Sequence, residues 1–196
     1  LMSHLASADV NSPQNAEQLR NFLDAVRNIP AKRKSLSNSA GIMLGPEYHF
    51  DLTRPGISLY GGIPRPELEN NIRQVAFPSA RILQIRNLEP DQSVGYNATY
   101  MTDRPTRVAT LPIGYADGYY RSFSDRGKCR FGDVELPVIG RVSMDLVVID
   151  CTDIPDLAEG DWVEICFNLT GASHMSGLSQ YELLTGIGRR FKRYWS

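Results

Sequence analysis

Past Pro64 the apolar rhythm of this chain changes, and no single repeating architecture accommodates both sides of the change. Residues 1–9 read as a strand end running into a loop. Ser12, Pro13 and Glu17 then supply a helix N-cap, a proline at the first helical position and an early acid. Ala16, Leu19, Phe22, Leu23, Val26 and Ile29 recur at the roughly 3.6-residue helical period, so one face of that helix is expected to pack. Residues 35–39 are short and polar, 40–44 are apolar, and 56–62 read as a short strand ending in glycines. Strand, helix, strand is the rhythm of an α/β barrel, with too few units to close one.

Beyond that point the segments 79–87, 94–101, 106–113, 134–140, 143–150 and 161–166 are rich in Val, Ile and Tyr. Turn signals such as Asp117-Gly118, Gly132-Asp133 and Glu159-Gly160 separate them, which describes a β-rich domain. Residues 179–191 return to helical character, with Tyr181, Leu183, Leu184 and Ile187 as candidate packing positions. The expected fold class is therefore α/β plus all-β, divided as residues 1–74 and 75–196. A partial barrel would leave open strand edges and an open core, so the chain is expected to be a C-terminal part of something longer.

Composition narrows the function classes. The 196 residues are 42% hydrophobic and 22% charged with a net charge of -1, which is ordinary for globular domains. Lys and Arg are scattered, so nothing resembles the basic stripe of a nucleic-acid or anionic-membrane surface. No apolar run approaches the roughly 20 residues of a membrane span, and the first ten residues lack the pattern of a signal peptide. Cys129, Cys151 and Cys166 are odd in number and lack CxxC spacing, which favours buried free thiols in a reducing compartment over disulfides or a metal site. Small-molecule chemistry is the default.

Three clusters carry chemical potential. Arg54-Pro55-Gly56-Ile57 sets a guanidinium beside a glycine that permits close backbone approach to a ligand. Gly95-Tyr96-Asn97 and Gly114-Tyr115, with Arg121 nearby, present tyrosines beside glycine turns. Gly140-Arg141 and Met144-Asp145 form a strand break with a charged pair. None names a reaction alone: strand tyrosines usually pack, and Arg141 with Asp145 reads equally well as a surface ion pair of little worth.

Together, and in this order, they resemble the alanine racemases, of the fold-type III pyridoxal-phosphate (PLP) class. The resemblance runs through Met2-Ser3-His4, Ser35 to Ala40, Arg54 to Gly61, Val94-Gly95-Tyr96, Ile113 to Tyr119, Val138 to Asp145 and Tyr181 to Thr185, covering nearly the whole chain. It implies an N-terminal PLP-binding (β/α)8 barrel, of which residues 1–74 are the C-terminal part, followed by a β-rich, barrel-like domain. It further implies a cytoplasmic bacterial homodimer with shared active sites that interconverts L- and D-alanine and supplies D-alanine for peptidoglycan.

Residue by residue, the resemblance makes Tyr96 the base on one face of the substrate Cα and joins His4 to its network. A phenol, with an ordinary pKa of about 10, needs nearby positive charge or hydrogen bonds to act as a base at neutral pH. Arg54 matches the arginine that faces the pyridine nitrogen of PLP. A guanidinium does not readily give up its proton, so it disfavours the full electron sink and keeps the reaction a plain proton exchange. Asn38, Ser39, Gly56, Ile57 and Tyr181 resemble the cofactor-binding set, with Ser39, the amides of Gly56 and Ile57, and Tyr181 on the phosphate. Met144 matches a residue whose amide meets the substrate carboxylate, and Tyr115, Arg121 and Asp145 resemble residues lining a tight substrate passage. Lys32, Lys34, Lys128 and Lys192 match no Schiff-base lysine, so that residue is expected upstream. Residues 171–176 replace the short helix that the family has at this place, in a segment shorter than the family's, so no helix is expected there. The competing readings are a broad-specificity amino acid racemase and a non-catalytic β-domain dimerisation module; the presence of Tyr96, Arg54 and His4 weighs against the latter.

Overall fold

A computed structural model describes residues 1–195. The chain divides into two compact units, Leu1–Val75 and a second that begins at Ala76. The first is mixed α/β in character and the second β-rich.

In the first unit, helix α1 (Pro13–Asn28) starts as its sequence dictates, with the Ser12 side chain accepting the Gln14 amide and Pro13 in the first turn. Its inward face is narrower than the apolar pattern implies: Asn15 and Phe22 are buried, whereas Leu23 and Ile29 are exposed. Phe22 meets Phe50 edge to face at 4.9 Å. Around them Leu5, Ala8, Leu36, Ala40 and Tyr48 form the core. Two isolated parallel bridges, Met2 with Ser35 and Asn38 with Arg54, align three backbone stretches side by side. The strand expected over 56–62 is instead a 3₁₀ turn, Ile57–Tyr60, closed by Gly61 at φ 83. The reason is local: Ser39 Oγ accepts the amides of both Gly56 and Ser58, which curls the backbone before it can extend.

The second unit holds β1 (Ser79–Arg81), β2 (Gln84–Leu88), β3 (Ser93–Val94), β4 (Tyr100–Met101), β5 (Thr106–Leu111), β6 (Lys128–Phe131), β7 (Val134–Pro137), β8 (Val147–Asp150) and β9 (Trp162–Ile165). Every pairing is antiparallel. The expected barrel-like closure is absent: the strands form a four-stranded sheet β1-β9-β6-β7, a three-stranded sheet β2-β5-β8 and the hairpin β3-β4. The Val138–Ile149 bridge and the Ile139 N–Val148 O hydrogen bond link the end of β7 to β8. Leu111, Phe123, Leu136, Ile149, Val163 and Leu183 fill the core.

Further differences from the sequence pattern have identifiable causes. Strand β6, Lys-Cys-Arg-Phe, carries two basic residues among its four and lies outside the Val-, Ile- and Tyr-rich segments. The segment 94–101 breaks into β3 and β4 around a 3₁₀ turn, Tyr96–Ala98. Residues 143–146 are a turn rather than strand, because Ser143 Oγ accepts the Leu146 amide and Ser143 N donates to Leu146 O. A helix, α2 (Leu169–Ser176), does occupy the 171–176 region; Asn168 caps its start and Gly177, at φ 74, its end. Its glycine and serines hide it from a propensity reading. Helix α3 (Gln180–Gly186) opens on a Ser179/Glu182 capping box and stops short of 191. No helix among the described residues is long and apolar enough to cross a membrane.

Candidate active site

Two groups of side chains emerge, one in each unit. In the first, the parallel bridges bring His4, Asn38, Ser39 and Arg54 to one end of the aligned stretches. Arg54 is half-buried and held by neutral oxygens: NH2 donates to Ser3 O at 2.6 Å and Leu36 O at 3.4 Å, and NH1 donates to Ser35 Oγ. Among the described residues no carboxylate pairs with it, which leaves its charge without an ionic partner there. Asn38 Nδ2 lies 3.2 Å from His4 Nε2, and Asn38 Oδ1 accepts the Gly41 amide at 2.8 Å, so Asn38 fixes both the turn and the imidazole.

Ser39 is 4% exposed. Its oxygen accepts the Gly56 amide at 2.7 Å and the Ser58 amide at 3.4 Å, and among the described residues its own hydroxyl proton meets no acceptor. Such a group has one donor to give, and an anionic oxygen is its natural complement. Ile57 is buried at the start of the same 3₁₀ turn.

In the second unit, three backbone segments interlock through glycines. A methyl at Gly95 would lie 2.8 Å from Arg141 N, one at Gly140 would lie 2.7 Å from Val94 O, and one at Gly114 would strike the carbonyls of Ser143 and Met144. Tyr115 N and Ala116 N donate to Ser143 O and Met144 O, each at 3.0 Å. These contacts bring the Tyr96 turn, the Tyr115 turn and the Met144–Asp145 loop together. Tyr96, 66% exposed, rides a turn in which Asn97 and Ala98 have φ of 63 and 48. Left-handed conformations at such residues cost ~1–3 kcal/mol each and persist where surrounding packing enforces them. Here Val94 supplies that packing, buried with Val108 and Ile139.

Met144 is exposed, and among the described residues its amide donates to no acceptor. Arg121 stacks over the Tyr115 ring at 5.1 Å. Asp145 does not pair with Arg141: it takes Arg190 NH1 at 2.7 Å. Arg190 also grips Asp117 through Nε–Oδ1 and NH2–Oδ2, both 2.7 Å, and these two carboxylates, Asp117 foremost, hold the guanidinium more firmly protonated than usual. Sequence reading missed Arg190, which lies beyond the last recognisable motif. Tyr181 stands exposed near the start of α3, whose far end docks on the Tyr115 turn, where a methyl on Gly118 would meet Gly186 O at 2.5 Å.

The family model for the alanine racemase C-terminal domain matches residues 75–195, and that for the alanine racemase N-terminal domain matches 1–64. The chain belongs to the alanine racemase family. The alanine racemase of Rickettsia canadensis is 43% identical over 202 residues, covering 100% of this chain and 55% of that relative. That of Acidiphilium cryptum is 42% identical over 197 residues, covering 98% and 55%. Among solved structures, alanine racemase from Bartonella henselae with covalently bound pyridoxal phosphate has a TM-score of 0.90 at 37% identity, over 99% of this chain and 55% of that one. The biosynthetic alanine racemase of Pseudomonas aeruginosa has a TM-score of 0.87 at 35% identity, over 100% and 56%. The chain thus spans about half the length of the alanine racemases it matches.

Proposed function

We propose that this chain is the C-terminal portion of an alanine racemase, a bacterial cytoplasmic enzyme that exchanges the Cα proton of alanine with the help of PLP and works as a homodimer with shared active sites. The observation that carries the reading is the buried Ser39 hydroxyl, set on the same backbone framework as the Arg54 guanidinium: among the described residues the first has an unused donor and the second no carboxylate partner. The parallel bridges in the first unit support its origin as part of a (β/α)8 barrel, with residues 1–74 as that part and 75–196 as the β domain.

The residues present fit PLP. Ser39 would donate to the phosphate, and Asn38 would hold the turn beneath it. When bound, the cofactor supplies an electron-withdrawing ring that acidifies the substrate Cα–H. Arg54, fixed by Ser3, Ser35 and Leu36, would face the ring nitrogen and keep its own proton there. His4, oriented by Asn38, joins the network behind it.

The β domain would serve the partner subunit's site. The Tyr96 hydroxyl would take or return the Cα proton on one face, and the strained turn fixes where that hydroxyl stands. The Met144 amide would bind the substrate carboxylate, with Tyr115, Arg121 and Asp145 narrowing the passage to an alanine-sized side chain. A base for the opposite face and the covalent anchor would come from a lysine elsewhere in the intact protein.

The test is a chiral assay of the intact, PLP-loaded enzyme with alanine, serine, lysine and arginine. Interconversion of L- and D-alanine well ahead of the others supports the reading. Absence of alanine racemisation overturns it, and equal rates for all four would favour a broad-specificity racemase.

A further inference from the structure

We propose that Arg190 is a positioning residue for the amino acid substrate, setting the Met144 amide relative to Tyr115 and thereby sharpening selection for alanine. This rests on the racemase reading above. Arg190 sits at a junction of three elements. Its forked pair with Asp117 reaches the Tyr115 turn, its bond to Asp145 reaches the loop carrying Met144, and the chain that bears it continues from α3, which carries Tyr181.

Each arm has a definite task. Asp117 is 5% exposed, and its Oδ2 also accepts the Gly114 amide at 3.0 Å. The backbone closes the same junction, because Gly188 N donates to Asp117 O at 3.2 Å. Asp117 therefore needs a cation from outside its own turn, and Arg190 provides it with planar, two-point geometry. The third bond, to Asp145, restrains the residue next to Met144. The Met144 carbonyl is tied to Ala116 N and the Ser143 carbonyl to Tyr115 N, so the peptide units on both sides of Met144 are held while, among the described residues, its amide meets no acceptor. The guanidinium need not touch substrate to act. It serves through the spacing between a carboxylate-binding amide and a wall of the passage, and misplacement by about 1 Å can change rates ~100-fold.

Lysine cannot reproduce this arrangement, because a single ammonium does not span a fork and a third acceptor at once. The experiment uses the intact, PLP-loaded enzyme with Arg190→Ala, Arg190→Lys and Asp145→Asn. Asp145→Asn leaves the buried Asp117 pair in place and so remains informative if either Arg190 variant fails to fold. The expected result for Arg190→Ala and Asp145→Asn is a KM for alanine raised ~tenfold, a smaller fall in kcat, and a reduced preference for alanine over serine. Arg190→Lys should fall between wild type and Arg190→Ala, and sub-denaturing guanidinium should partly restore Arg190→Ala. The double variant should be little worse than Arg190→Ala alone, since both changes release the same loop. Wild-type KM and wild-type preference in Asp145→Asn would overturn the proposal. If the unmodified enzyme fails to racemise alanine, the underlying racemase reading is what fails, and that outcome is separable from the first.

Discussion

Gly140 and Val94 pack so closely that a methyl group at position 140 would stand 2.7 Å from the Val94 carbonyl oxygen, and Gly140 itself holds φ at 72. Both constraints point at the segment that presents Tyr96. Gly140→Ala is therefore expected to cost ~1–3 kcal/mol of stability, read as a lowered urea midpoint. It should also depress proton exchange on the Tyr96 face more than on the other. A variant with unchanged stability and unchanged exchange would show that this contact does not place the tyrosine.

Ser39→Ala tests the phosphate assignment. Removing the hydroxyl strips the Gly56 amide of its 2.7 Å acceptor, and leaving a buried donor unpaired costs ~1–3 kcal/mol. In the intact enzyme the PLP affinity should fall by about tenfold or more, equivalent to ~1.4 kcal/mol, as measured by cofactor titration. Full affinity in a folded Ser39→Ala protein would remove this serine from the cofactor site.

The pH dependence follows from burial. Desolvation by burial pushes the thiols of Cys129, Cys151 and Cys166 upward, opposed at Cys151 by the Arg107 guanidinium, and burial pushes the Tyr119 hydroxyl upward too. An acid whose folded pKa lies above its unfolded value contributes stability below the unfolded pKa and loses it as pH rises toward the folded one. Stability of the β domain should thus decline above about pH 8.5, the ordinary thiol range. Urea midpoints across pH 7 to 10 measure it, and a Cys129→Ala variant should show a shallower decline. The native thiols should also resist alkylation at neutral pH, because the protonated form is unreactive.

How much was legible varied with the kind of signal. The helix at Pro13 announced itself through its cap and proline, and β5 and β9 through runs of buried Val, Leu and Ile. The apolar residues 57–60 read as a strand because nothing in a linear pattern reveals that Ser39, far back in the chain, takes the amides that bend them. Barrel-like closure was implied by the family resemblance and not by the strand pattern, and the strands form separate sheets, with turns at 96–98 and 143–146 where the pattern reads as continuous strand. At the candidate site, Tyr96 and the Met144 loop stood out near Gly95 and Gly140, whose tight backbone contacts the structure makes plain. Asp145 was matched with Arg141 by proximity in sequence, yet its partner is Arg190, which only the return of the chain after α3 brings within reach.

Most rests on Tyr96 as a base for one face of the substrate. Cα proton exchange of L- and D-alanine with deuterated solvent, followed separately in the intact wild-type and Tyr96→Phe enzymes, tests it most directly. The expected result is that Tyr96→Phe retains its PLP and loses exchange from one enantiomer by ~100-fold or more, while the other enantiomer continues to exchange. Normal exchange from both enantiomers in a folded, PLP-loaded Tyr96→Phe enzyme would contradict the account.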